Sequence, residues 1–226
     1  MRNRFGPSRE SGNLIRAVIF DMDGVIAETE HIHIEAEKQT MLGYGVKISP
    51  EELHRYTGTT AKFMFDNLIK KYKLNTTFER IFLEKEKILF RLIKNDLQPT
   101  KGVIELLWML KRENIKLAIA SSSHRRLIRY VLEELNILDL FDSIVGAEDI
   151  SRSKPNPEIF LKSARNLGVN AGECLVVEDS TLGVAAAKIA GMKVVGYRNP
   201  NSGDQDLSKA DVVIDDFSGV SLRGLL

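Results

Sequence analysis

Six short apolar runs, separated by segments whose apolar residues recur at spacings of three and four, constrain this chain more than any other feature. The runs cover residues 15–20, 115–120, 143–145, 174–177, 193–196 and 212–214. The helical patterns lie at 103–112, 125–135, 157–167 and 182–190. A run of 4–8 apolar residues suits a strand covered on both faces. Strands alternating with helices predict an α/β fold, a Rossmann-like parallel sheet flanked by helices. Such sheets bind ligands beyond the carboxyl ends of their strands, so the residues just after each run are the ones to read for chemistry.

The alternation is broken between Thr29 and Gln98. That stretch holds amphipathic patterns at 61–72 and 78–94 and no convincing strand, with Pro50 and Pro99 as punctuation. It reads as an inserted α-helical cap domain at 29–98, leaving 14–28 plus 99–226 for the α/β core. Residues 1–13, with Arg2, Arg4 and Arg9 among Gly, Pro, Ser and Asn, read as a flexible tail. A length of 226 residues and a 43% hydrophobic content allow one sizeable core with a smaller appended domain.

Charge and cysteine usage narrow the function classes. Thirty-two basic residues against 31 acidic ones leave no global field to draw in nucleic acid or an acidic membrane surface. No stretch reaches 18 apolar residues and the start carries no apolar run of signal-peptide length, so no membrane partner and a cytoplasmic location are expected. Cys174 is the one cysteine, sits in an apolar run, and reads as a small buried hydrophobe.

Four strand ends carry polar groups of complementary kinds. Asp21-Met-Asp23-Gly24 follows the first run: two carboxylates two residues apart on extended chain can face the same side, and Gly24 permits a sharp turn. Taken alone this is more often a polar turn that caps the next helix. Ser121-Ser122-Ser123 follows the second core run, where a hydroxyl and free amides at a helix start can receive an anionic oxygen or simply cap the helix. Lys154 lies in Ser-Lys-Pro-Asn-Pro-Glu, where two prolines stiffen the backbone around an ammonium. Glu178-Asp179-Ser180 ends the next run with acids able to complete a cation site. The small residues Gly183, Ala185, Ala186, Ala187, Ala190 and Gly191 read as packing of a helix on the sheet, without chemistry.

The order Asp-x-Asp-Gly-Val, strand-terminal Ser, Lys-Pro-x-Pro and Glu-Asp-Ser-x-x-Gly resembles the four signature motifs of the haloacid dehalogenase superfamily over about residues 15–214. With its insertion after the first motif, the chain is similar to the helical-cap subfamily that includes β-phosphoglucomutase and sugar-phosphate phosphatases. The resemblance implies that Asp21 is a covalent phosphoryl acceptor and that Asp23 is the general acid and base. It implies Mg²⁺ held by Asp21, the Asp23 carbonyl and Asp179, with Glu178 ligating or positioning a water, while Ser121 and Lys154 hold phosphoryl oxygens. Carbon–halogen displacement needs neither the ion nor a second acid, so Asp23 points to phosphate.

Within the subfamily, Thr29 and His33 fall where mutase-like members carry a threonine and a histidine near the acid. Gly58 and Thr59 are expected at the cap tip that enters the site. Ser122 and Ser123 of the serine run, and Arg125 with His124 just after it, fall where substrate contacts occur in the mutase. A mutase must grip a second phosphate, and the lysine and arginine its branch places around the position of Gly58 are here Thr57 and Ala61, with Arg55 and Lys62 as substitutes. Hydrolysis of a small sugar or polyol phosphate is therefore preferred. A phosphosugar mutase is the alternative, a catalytically silent binding protein the second, and a monomer or weak dimer is expected.

Overall fold

The computed structural model describes residues 14–56 and 60–219, the His54 side chain excepted. Gly58 and Thr59, expected at the cap tip, lie outside the described residues, as does the 1–13 tail.

Six parallel strands form one sheet in the order β3-β2-β1-β4-β5-β6. They are β1 (Ala17–Phe20), β2 (Lys116–Ala120), β3 (Ser143–Val145), β4 (Cys174–Glu178), β5 (Lys193–Tyr197) and β6 (Val212–Ile214). β1 is central, and alternation along it explains why both faces are covered. Val18 and Phe20 enter one hydrophobic cluster, Ala17 and Ile19 the other. The first cluster is closed by α5 (Val103–Arg112) and α6 (Arg125–Glu134), which contribute Leu107, Leu110, Ile128 and Val131. The second is closed by α7 (Glu158–Leu167) and α8 (Thr181–Ile189), through Ile159, Phe160, Val184 and Ala187. Each fully buried Val, Leu, Ile or Phe among them stabilises the fold by about 1.5–3 kcal/mol. Cys174 is buried in the second cluster as a free thiol.

One expectation needs adjusting. The run at 212–214 is a strand, but it lies at the sheet edge, and Val212 and Val213 are 37% and 36% exposed rather than buried.

Between β1 and β2 the chain is helical before α5. α1 (Glu30–Gly43), α2 (Pro50–His54), α3 (Ala61–Tyr72) and α4 (Phe78–Asp96) follow in turn. Ser49, Thr60 and Thr77 cap α2, α3 and α4 by accepting from Glu52 N, Phe63 N and Arg80 N. Pro50 opens α2, because its missing N–H belongs to a position left unbonded in any helix. The outer parts of these helices share a third cluster built on Met41, Met64, Phe65, Leu68 and Ile81. The inner parts of α1 and α4 join the first cluster through Ile32, Ala36, Leu89 and Ile93. Both crossings run side by side, with Glu28 N donating to Gln98 O and Thr100 N to Ile26 O, each at 3.0 Å. Among the described residues no helix is long and apolar enough to cross a membrane.

Candidate active site

Parallel register brings the expected strand ends together. Phe20 is level with Ile119 of β2 and Val177 of β4, so Asp21, Ser121, Glu178 and Asp179 all emerge within two residues of one line across the sheet. The Asp21 amide donates to Val177 O at 3.0 Å, which holds that residue at the rim.

Lys154 is the centre of the cluster. Its buried ammonium donates to Asp21 Oδ1, to Glu178 Oε1 at 2.6 Å and to Ala120 O at 3.2 Å. Burial works against that charge, but the two carboxylates outweigh it and push the ammonium pKa well above its ordinary value. Burial raises the Asp21 pKa to about 7 despite Lys154, with Glu178 and Asp23 adding repulsion. Asp179 is likewise raised by burial and by the charges of Glu178 and Asp21. Two carboxylates thus hold one ammonium, with Asp179 close enough to feel its charge.

Two glycines make room for this crowding. Gly24 has φ +78°, and a Cβ there would stand 2.2 Å from Asp179 Oδ2. A Cβ on Gly183 would stand 1.8 Å from Glu178 Oε1. Gly183 therefore shapes the site as well as the helix packing expected of it. Ser180, which caps α8, also donates to Glu178 Oε2 at 2.9 Å.

Asp23 is held differently. Thr29 is the residue before α1, yet its hydroxyl turns away from the helix and donates to Asp23 Oδ1 at 2.6 Å. Ser123 and Ser121 donate to Oδ2 at 2.9 and 3.3 Å. His33 Nε2 is buried without a hydrogen bond and lies 3.5 Å from Oδ1. Burial raises the Asp23 pKa, but His33, Thr29 and Ser123 together overcome it and hold the carboxyl far below its usual range. Asp21 and Asp23, two residues apart, are thus pushed in opposite directions.

Other expected residues are less central. Ser122 is exposed, Arg125 pairs with Asp149 at 3.3 Å, and His124 lies 3.4 Å from Glu148. Three residues were not anticipated. Lys85, on α4, is 5% exposed and meets His33 Nδ1 at 2.8 Å. With Nδ1 taken by this contact, Nε2 is the ring nitrogen that faces Asp23. Asn199 donates to Gly24 O at 2.8 Å, and Ser202 donates to Asp179 Oδ2. Both follow β5, so the strand-end rule could have found them. Lys85 had its own signal, a lysine on the buried stripe Ile81, Leu89, Ile93.

Among the described residues no three His, Cys, Asp or Glu side chains form a ready metal cage. Lys154 lies between Asp21 and Glu178, and Ser202 holds Asp179. The donor chemistry nonetheless suits a hard divalent cation. It consists of oxygens alone, and Asp21, Glu178 and Asp179 bring three carboxyl groups to one ammonium.

Comparison with known proteins decides the family. The model of the haloacid dehalogenase-like hydrolases matches residues 18–197. The chain belongs to this family. A phosphorylated carbohydrates phosphatase of Thermotoga maritima is 36% identical over 187 residues, covering 79% of this chain and 83% of that protein. A β-phosphoglucomutase of Bacillus subtilis is 32% identical over 219 residues, covering 92% and 93%. The crystal structure of CbbY from Rhodobacter sphaeroides in complex with phosphate superposes with a TM-score of 0.86 at 26% identity, covering 94% of this chain and 99% of that one. This haloacid dehalogenase-like chain is therefore an enzyme of the hydrolase family, and its relatives include both a phosphatase and a phosphomutase.

Proposed function

We propose that the chain is a Mg²⁺-dependent phosphatase of small sugar or polyol phosphates, working through an aspartyl phosphate on Asp21. The observation that carries this reading is the split environment of the two acids: Lys154 against Asp21, and Thr29, Ser123 and His33 around Asp23. Asp21 Oδ attacks phosphorus while the bond to the leaving oxygen breaks, and Asp23, which takes up a proton from solvent once the substrate dianion is bound, passes that proton to the leaving oxygen. Asp23 then takes a proton from the water that attacks the aspartyl phosphate, so inorganic phosphate leaves and Asp21 is regenerated. Lys154 and Ser121 hold phosphoryl oxygens, and most of the acceleration comes from positioning and charge neutralisation.

Mg²⁺ would be held by the Asp21 carboxylate, the Asp23 carbonyl and Asp179, with Glu178 ligating or positioning a water. When bound it neutralises charge among the acids and on the phosphoryl group. Residues 29–98 act as the cap that covers the acids, and Arg125 and Ser122 face the rest of the substrate. We place the enzyme in the cytoplasm, as a monomer or weak dimer.

A second reading, phosphosugar mutase, is favoured by the contacts of Thr29 and His33 with Asp23, at the positions where mutase-like members carry those residues. The cations near the cleft speak for hydrolysis. Lys62 pairs with Asp66 at 2.8 Å and Arg125 with Asp149, so each already has an acidic partner that a second phosphate would have to displace. A screen of phosphorylated metabolites with and without Mg²⁺ tests the choice, with Asp21→Asn as control. Phosphate release by Mg²⁺ alone supports hydrolysis; turnover that needs a bisphosphate and conserves the phosphoryl group supports the mutase.

A further inference from the structure

A seam of rings joins α4 to α6. Phe82 meets His124 edge to face, with centroids 5.8 Å apart. Eight residues along α4, Phe90 meets Tyr130 at 4.8 Å, and the Arg126 guanidinium lies over the Phe90 ring at 5.0 Å. At 1.5 Å per residue the two contacts are about 12 Å apart on the helix. Lys85 lies between them.

The positions at the two ends of this seam matter. Asp23 is reached from two sides of the molecule. From α4 the path is Lys85 to His33 to Asp23 Oδ1. From the start of α6 it is Ser123 to Oδ2. Ser123 immediately precedes His124, and Lys85 is one turn of helix from Phe82. The Phe82–His124 contact therefore ties the base of one arm to the base of the other, within a turn of each.

We infer that Phe82 is a positioning residue for the acid Asp23: seated on His124, it holds the Lys85–His33 arm and the Ser123 arm at one separation, and so aims the Asp23 carboxyl at the leaving oxygen. Phe90 on Tyr130 keeps the same helix from rolling about that contact. The inference rests on the proposed role of Asp23 as general acid, and it adds a residue from the helical segment that touches neither substrate nor Asp23.

The leaving group provides the test. An alkoxide must be protonated as it departs, whereas nitrophenolate is a weak base and departs without help. A general acid contributes about 10²- to 10⁴-fold, and one left free to wander forfeits part of that. With Mg²⁺ present, kcat/KM reports transfer to Asp21 and is measured for sorbitol phosphate and para-nitrophenyl phosphate. Phe82→Ala is expected to lose about tenfold on sorbitol phosphate and less than about twofold on the nitrophenyl ester. Phe82→Tyr, which keeps the ring, and Leu83→Ala, on the exposed side of the same turn, are expected to keep the wild-type ratio of the two esters. Phe82→Leu repeats the measurement without the ring in case the alanine variant does not fold. Equal losses on both esters, or no loss on either, overturn the inference while leaving the phosphatase reading in place. A wild-type protein that releases phosphate from neither ester overturns that reading and this inference with it.

Discussion

Lys154 Nζ stands 2.6 Å from Glu178 Oε1 and bonds in the same stroke to Asp21, so a single buried ammonium links the ends of β1 and β4. Breaking a buried ion pair by removing one partner costs about 3–5 kcal/mol, because the charge left behind is uncompensated. Lys154→Met is therefore expected to lower both stability and turnover, the latter by at least about 100-fold from loss of a donor to the phosphoryl oxygens. Thermal denaturation and phosphate release on the same preparation check it. Near wild-type turnover would remove Lys154 from the site.

The carboxylate next to that lysine depends on a missing methyl group. A Cβ at Gly183 would overlap Glu178 Oε1 at 1.8 Å, with no space for a few tenths of an ångström to correct. Gly183→Ala should destabilise by about 1–3 kcal/mol. It should also displace Glu178 and so weaken Mg²⁺ binding, read by calorimetric titration. Unchanged affinity would mean that Glu178 has no part in holding the ion.

Ser202 offers a milder probe of the same centre, since its hydroxyl donates to Asp179. Residues that orient a metal ligand typically account for 10- to 100-fold in affinity. Ser202→Ala should raise the Mg²⁺ concentration needed for half-maximal activity by about tenfold while leaving saturated turnover nearly intact. A loss of saturated turnover with no change in Mg²⁺ demand would contradict this.

Stability against pH follows from Asp21. Its pKa rises from the ordinary 3.8 to about 7 in the folded protein, burial being the main cause. The folded state then binds a proton that the unfolded state has released, so ΔG of unfolding falls as pH rises between those values and levels off above about 7. Asp179, raised for the same reason, acts in the same direction. Metal-free protein should thus melt lower at pH 8 than at pH 5 as far as these acids control it. Added Mg²⁺ should recover more stability at pH 8, where both carboxylates are ionised. Equal Mg²⁺ stabilisation at the two pH values would show that the ion does not meet these acids.

Much of this was legible in the chain because the chemistry lies at strand ends. Strand runs are recognisable from apolar residues such as Ala17–Phe20 and Cys174–Glu178, and whatever polar residue follows them is carried to one edge of the sheet. That is why Asp21, Ser121 and Asp179 could be named from order alone. Lys85 was hidden because its function depends on where α4 lies relative to α1, a tertiary fact with no spacing rule. Its position on an apolar stripe was the only mark. Asn199 and Ser202 follow β5, within reach of the strand-end rule, but their loop has the composition of any surface turn, so nothing in the sequence singles them out. The role of Gly183 toward Glu178 could not be read either, since a glycine in a helix on a sheet has the same sequence appearance whether it admits a backbone or a carboxylate.

The central claim is that Asp21 carries the phosphoryl group. Rapid acid quenching during turnover of radiolabelled substrate, followed by peptide mapping, measures it directly. The account predicts label on the peptide containing Asp21, lost on treatment with hydroxylamine and absent from Asp21→Asn. Steady turnover with no protein-bound label at any quench time, or label on another residue, would contradict it.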